Sequence, residues 1–394
     1  MMWGIIVAAI AVFGLAVPGA VTARDAMADG TPVPVGIPGN WHLVFDDEFT
    51  GTTLNTANWS TGWFGDGVTS APGSNPRECM SPSEVAVNGE LDLTLIKRKS
   101  ACGGTTQPST SGMVTTNGKF EFTYGAAEAK IWVPGPAGTD TIEDWPAWWL
   151  NGQVWPTDGE LDVLEGFGGA CAFYHSQNRP APGSCTSGQW TGGWHTFAVD
   201  WEPGAITWYY DGSEVWNVTN ATPGVIVRSS PMYLVLGLGT YGGPPPTPVT
   251  MRVQYVRVWR QPVTVTYSGT IRLTQMGYCL DDRGNSASNG GVVQVWRCNG
   301  LPNQQWQVMS DGTIRINGLC LDAPDHGITN GTKVQLWACT GRPNQQWNTR
   351  NWRVNYTNPA ASNQVLDDPG YGGNGTQQEL WANTGTRNQI WATN

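Results

Sequence analysis

The chain has 394 residues, enough for two domains, with only 13% charged residues, 51 Gly, 22 Trp and a formal net charge of −10. That charge disfavours nucleic acid and sulfated or uronic polymers as partners and leaves neutral polymers unpenalised. Little charge, much Gly and abundant Trp describe short strands, many turns and aromatic ligand surfaces. No long stretch has helical periodicity, so the chain reads as all-β. The acidic excess is local: residues 29–261 hold 22 acidic against 11 basic side chains, and residues 262–394 hold 8 against 9.

The N-terminus is apolar from Met1 to about Val21 and runs into Ala26-Met27-Ala28, a small-residue cleavage pattern. Residues 1–28 are therefore expected to be a signal peptide and the protein secreted and extracellular. No Lys or Arg precedes Arg24, and the competing reading is a membrane anchor. Once cleaved, the chain is expected to keep no stable membrane association and to be a monomer. None of the eight cysteines forms a C-x-x-C pair, and an even number in an exported chain favours disulfides. Proximity pairs Cys79 with Cys102 and Cys171 with Cys185.

Strands follow at short intervals. Trp41–Phe49 alternates, Leu91–Lys97 and Lys119–Tyr124 read as strands, and Gly and Pro separate them. This frequency describes a β-sandwich. Asp144-Trp145-Pro146-Ala147-Trp148-Trp149-Leu150 then places three Trp in five residues. Indole faces stack on sugar rings, and adjacent Trp148 and Trp149 must point to opposite faces of a strand.

Gly159-Glu160-Leu161-Asp162-Val163-Leu164-Glu165-Gly166 is the most informative stretch. Its aliphatic residues favour a buried strand, where carboxylates do not belong without a use. Glu160 and Asp162 share a face, and an unbroken strand would turn Glu165 to the other. One β-bulge near Val163-Leu164 brings Glu165 back beside them. Two carboxyl groups flanking a glycosidic bond are what sugar hydrolysis requires. The competing reading is a solvated acidic face.

Downstream lie Phe173-Tyr174-His175-Ser176, Trp194–Trp201, Ile206–Gly212, Pro231–Leu236 and Met251–Trp259. Five motifs occur in order: Trp41–Gly51, Trp-Pro-Ala-Trp-Trp-Leu, Glu-Leu-Asp-Val-Leu-Glu, Trp-His-Thr-Phe-Ala-Val-Asp-Trp and Val-Gln-Tyr-Val-Arg-Val-Trp. Together they resemble glycoside hydrolase family 16, the laminarinase and lichenase family, over residues 40–260. The resemblance implies a jelly-roll sandwich with a cleft across its concave sheet and a retaining mechanism. It implies Glu160 as nucleophile, Glu165 as acid/base and Asp162 as the residue that orients them. It places Trp145, Trp149, His175, His195 and Glu78 among the substrate-binding candidates, and the competing reading for the two histidines is a structural imidazole satisfied within the sheet. The bulged six-residue spacing resembles the laminarinase-like branch. Many relatives carry a calcium-binding Asp in the last strand where this chain has Gln254, a poorer ligand for a hard cation, so no metal and no cofactor is expected.

The remainder repeats. Gln294-Val295-Trp296, Gln335-Leu336-Trp337 and Glu379-Leu380-Trp381 keep the same offsets as Asn303–Trp306, Asn344–Trp347 and Asn388–Trp391. Three repeats of this length close a core only together. The pattern resembles the ricin-type β-trefoil of carbohydrate-binding module family 13 over residues 263–394. The resemblance implies three sugar-binding sets: Asp281, Trp296 and Asn303; Asp322, Trp337 and Asn344; Asp367, Trp381 and Asn388. The internal repeat pairs Cys279 with Cys298 and Cys320 with Cys339, whereas the third repeat has Val365 and Asn383 there and lacks the bridge.

The expected architecture is a signal peptide (1–28), a jelly-roll catalytic domain (29–261) and a sugar-binding β-trefoil (262–394). The expected function is retaining endo-hydrolysis of β-glucan at β-1,3 or mixed β-1,3/1,4 linkages, with neutral polysaccharide as partner. A galactan or agar hydrolase, a transglycosylase and an inactive lectin are alternatives on the same scaffold.

Overall fold

The computed structural model describes residues 31–394, apart from 66, 74–76, 167, 178–180, 359, 360, 362 and 394. The expected signal peptide lies outside the described residues. The fold is all-β: a jelly-roll sandwich followed by a β-trefoil, with only short 3-10 turns as helical structure among the described residues.

Two eight-stranded sheets form the sandwich. The outer one runs Ser213–Thr219, Ala205–Tyr210, Trp194–Glu202, Gly125–Trp132, Val249–Arg260, Leu91–Leu95, Val85–Val87, with His42–Asp47 also pairing Val249–Arg260. The inner one runs Gly183–Thr186, Ala170–His175, Glu160–Gly166, Trp145–Gly152, Met232–Gly239, Met113–Thr115, Ser60–Thr61, with Glu121–Phe122 also pairing Met232–Gly239. Alternation builds the core between them. Leu91, Leu93 and Leu95 are fully buried while Asp92 and Thr94 are not. On the inner sheet Trp148, Leu150, Leu161, Val163 and Leu164 all enter this core.

The other face of the inner sheet carries a second cluster, with Trp149, Tyr233, Val235, Met113 and Met80 packed against Trp63 and Ala147. Trp148 and Trp149 thus point to opposite faces, and the Trp148 indole donates to Phe197 O inside the core. The segment before Trp41 covers the outer sheet. Trp259 donates to Pro32 O, and the Val35 N–H donates to the buried Glu128 carboxylate.

The last sandwich strand ends at Arg260, and a strand at Val265–Gly269 pairs with Trp306–Met309 of the trefoil. There the three repeats superimpose chemically. Trp306, Trp347 and Trp391 are buried in one cluster. Their indoles donate to Leu280 O, Leu321 O and Leu366 O at 2.9, 2.8 and 2.9 Å. Four disulfides close: Cys79–Cys102, Cys171–Cys185, Cys279–Cys298 and Cys320–Cys339.

Candidate active site

The bulge determines the site. Asp162 pairs with Trp149 and Leu164 with Trp148, which leaves Val163 as the extra residue. Val163 and Leu164 both turn into the core, so Glu165 emerges on the face of Glu160 and Asp162. A bulge leaves ladder carbonyls without strand partners, and buried ones need donors. The outer sheet supplies them through the core: Trp208 Nε1 donates to Asp162 O at 2.8 Å, and Tyr210 Oη donates to Val163 O at 2.9 Å. Gly159 enters the strand at φ +94°, a backbone conformation that residues with a Cβ rarely adopt.

The three carboxyls line up along the strand with aromatic groups at each end. Trp155 donates its indole N–H to Glu160, and its ring contacts His175 at 5.9 Å. His175 lies across from Glu160 in the sheet, with Nε2 3.4 Å from Asp162 Oδ2. Asn151, paired with Glu160 from the other side, donates to Tyr233 Oη at 2.8 Å. At the opposite end the Trp145 indole bonds Glu165. Trp145 stacks on Tyr241 with centroids 4.6 Å apart and planes 5° from parallel.

Burial holds all three carboxyls above the usual range, and repulsion from neighbouring carboxyls adds to it at Glu160 and Glu165. Desolvation is the largest cause for each. Beyond it, Glu165 is raised by the charges of both Asp162 and Glu160, whereas Glu160 is raised by Asp162 and eased by His175 and the Trp155 N–H. The trio therefore titrates as a unit that carries fewer than three charges near neutral pH. Glu165 has the stronger reason to keep a proton.

The remaining candidates separate. Glu78 is buried beside Gly239 and Thr240 at the Trp145 end, and desolvation pushes it to about 7. Trp149 faces the cleft but is only 6% exposed beneath Trp63, so it forms floor rather than an open platform. His195 is a correction. It sits on the outer sheet, bonds Asp211 Oδ2 at 2.7 Å and packs its ring against Trp190. Alternation along Trp194–Glu202 puts His195 on the face of Phe197, Val199 and Trp201, which is the core side. Sequence reasoning missed Trp155, Trp63 and Tyr241. Only Trp155, five residues before Glu160, carried a local signal.

In the trefoil each lobe Asp is buried under side-chain amides. Asp281 accepts from Gln294 at 2.7 Å, Asn303 at 2.8 Å and Gln304 at 2.9 Å. Asp322 accepts from Gln335, Asn344 and Gln345 at 2.9, 2.6 and 2.9 Å. Asp367 accepts from Asn388 and Gln389. The third lobe replaces the first amide by Glu379, which pairs with Lys333 and helps burial raise Asp367. Trp296, Trp337 and Trp381 remain about 40% exposed beside these groups. Gln254 is exposed, and no group of three or more His, Cys, Asp or Glu set to hold a metal occurs among the described residues.

Comparison with known proteins fits this division. Residues 73–257 match the Glycosyl hydrolases family 16, and residues 267–391 match the Ricin-type beta-trefoil lectin domain. The chain carries a family 16 glycosyl hydrolase domain and a ricin-type lectin domain. It is 27% identical over 295 residues to a glucan endo-1,3-beta-glucosidase A1 of Niallia circulans, covering 61% of this chain and 41% of that protein. It is 28% identical over 183 residues to a beta-glucanase of Rhodothermus marinus, covering 38% of this chain and 62% of the relative. The chain thus spans less than two thirds of the length of these curated relatives. Among solved structures it is similar to the catalytic domain of an endo-1,3-beta-glucanase (laminarinase) from Thermotoga petrophila RKU-1. That match has 25% identity and a TM-score of 0.49, over 57% of this chain and 99% of the other. The family 16 match contains the carboxylate strand and both of its indole partners; the lectin match contains all three lobes.

Proposed function

We propose that this protein is a secreted retaining endo-glycosidase that cleaves neutral β-glucan, chiefly at β-1,3 bonds, while its trefoil holds the polymer. The observation that carries this reading is the bulged strand, which sets a buried Asp162 between half-buried Glu160 and Glu165 on one cleft face with aromatic rings beyond each end. Glu165 donates its proton to the glycosidic oxygen as Glu160 attacks the anomeric carbon, and the leaving sugar departs as an alcohol. Glu165, now a carboxylate, takes a proton from water, whose oxygen displaces Glu160 from the same carbon. This sequence calls for carboxyl groups about 5–5.5 Å apart and needs no cofactor. Asp162 holds the pair in place and helps keep Glu165 protonated.

The acidic first domain and the glucanases among the relatives favour a neutral glucan. Four disulfides suit an oxidising destination outside the cytoplasm. Joining cleft and trefoil raises the local concentration of cleavable chain. Reducing-sugar release from laminarin, barley β-glucan, agarose and galactan tests the reading. Release is expected to be fastest from laminarin and absent in Glu160→Ala. Equal release by that variant, or release from galactan or agarose alone, contradicts it.

A further inference from the structure

The three lobes do not account for the most exposed large hydrophobic side chain among the described residues, Trp352, at 66%. It sits in the 349–354 loop that links the second repeat to the third, between the strands Trp347–Asn348 and Asn355–Tyr356. The corresponding turn of the preceding repeat, Ser310-Asp311-Gly312-Thr313, holds no aromatic residue. Asn351 and Trp352 both have left-handed backbone, at φ 56° and 59°. That region is costly for a bulky residue, and glycine or asparagine would fold there with less strain. The loop is nonetheless fixed: the Trp391 N–H and Arg353 Nη1 both donate to Trp352 O, at 3.1 and 2.9 Å.

Beside the ring opens a cavity of about 360 Å³, between the loop and the end of the strand pair Ile271–Leu273 and Trp391–Thr393. Its wall alternates apolar and polar groups: Trp352 and Trp391 with Thr349, Asn351, Arg353 and Thr393. None of the lobe residues assigned to sugar contributes to it. No carboxylate lines it, and Arg353 is committed to Trp352 O and Asn383 Oδ1. An indole face beside amide and hydroxyl groups, with no carboxylate in the wall, matches a pyranose ring with its apolar C–H face and its rim of hydroxyls. The trefoil's own charge is nearly balanced, 8 acidic against 9 basic residues, so the chemistry of the wall rather than the net charge selects the ligand.

We infer that the cavity beside Trp352 is a fourth carbohydrate site, between the 349–354 loop and the strand pair Ile271–Leu273 and Trp391–Thr393, that takes a neutral hexose unit of a polysaccharide. Trp352 is the stacking platform, and Asn351, Thr349 and Thr393 meet the hydroxyls. This inference stands apart from the hydrolytic reading, because it concerns binding only.

Affinity electrophoresis of the full chain in gels containing laminarin, barley β-glucan or galactan tests it. Glu160→Ala serves as background so that the polymer stays intact. The combined variant W296A/W337A/W381A is expected to keep residual retardation on at least one polymer. Adding Trp352→Ala should weaken the remaining affinity by about tenfold, the effect of losing one stacking contact of roughly 1.4 kcal/mol. Trp352→Tyr should restore most of it. The thermal midpoint should be nearly unchanged, since the side chain is 66% exposed. The inference is overturned if the lobe variant alone loses all retardation, or if Trp352→Ala leaves the residual retardation unaltered. Hydrolysis by the otherwise unmodified chain is measured separately, so failure of one reading does not conceal the other.

Discussion

The cleft and the trefoil lobes bury the same functional group in opposite ways. In a lobe, Asp281 lies under three amide donors that satisfy both oxygens and fix its orientation. In the cleft, Asp162 lies between two more carboxyls, with no amide donor over it and His175 Nε2 3.4 Å away among the described contacts. The amide-capped acid is a rigid acceptor, suited to recognising a hydroxyl. The crowded acids repel, hold protons above the ordinary range and exchange them, which suits chemistry. The third lobe lies between the two: Glu379 stands where its sisters have Gln, and Asp367 is raised by burial with Glu379 adding to it.

The contrast can be broken most severely at Glu160. Glu160→Ala is expected to reduce hydrolysis at least ~10³-fold while polymer retention by the trefoil persists. Loss of both together would mean that the two regions are not separable. Glu165→Gln comes next, with a fall of about 10²–10⁴-fold on natural glycan, the range of general acid catalysis. Steady-state kinetics on laminarin measures both.

Asp162→Asn sharpens the electrostatic half. An anionic Asp162 raises Glu165, so removing its charge lowers the Glu165 pKa. The basic limb of the pH–rate profile should therefore move to lower pH, and a shift the other way contradicts the assignment. Stability follows the same sign. Carboxyls raised in the folded state bind more protons there than in the unfolded chain, so stability falls as pH rises from the ordinary carboxyl range through the raised values. Glu165→Gln removes one of these groups and should flatten that fall. At the alkaline end the variant should be more stable than the parent by about 1 kcal/mol or more, since even a modest rise in a pKa on folding carries that much free energy. Urea unfolding across pH reads it.

On the trefoil side, Asp281→Ala strands the amides of Gln294, Asn303 and Gln304 and should cost about 1–3 kcal/mol of stability as well as the binding of that lobe. The smallest effect belongs to the histidines. His195→Ala should lower stability by ~1 kcal/mol through loss of its bond to Asp211 and leave kcat/KM nearly unchanged, whereas His175→Ala should lower kcat/KM. The reverse pattern would return His195 to the cleft.

The carboxylate strand was legible because its chemistry violates its own propensity within eight residues, and the need for a bulge followed from counting. The repeats were legible because register itself is the signal, and two of the disulfides rode on that register. Trp63 and Tyr241 were not legible, since loops distant in sequence bring them to the cleft and nothing local marks their destination. His195 was misplaced although the strand pattern held the answer: it shares parity with Phe197, Val199 and Trp201, which are core. Glu379 was visible as the departure in a threefold pattern, but its meaning needed the amide network that it interrupts.

The stereochemistry of the first product tests the central claim most directly. Proton NMR of the reducing ends newly released from laminarin, recorded before mutarotation, should show the β anomer first, as two displacements at Glu160 require. The α anomer appearing first would mean a single displacement by water and would contradict Glu160 as the nucleophile.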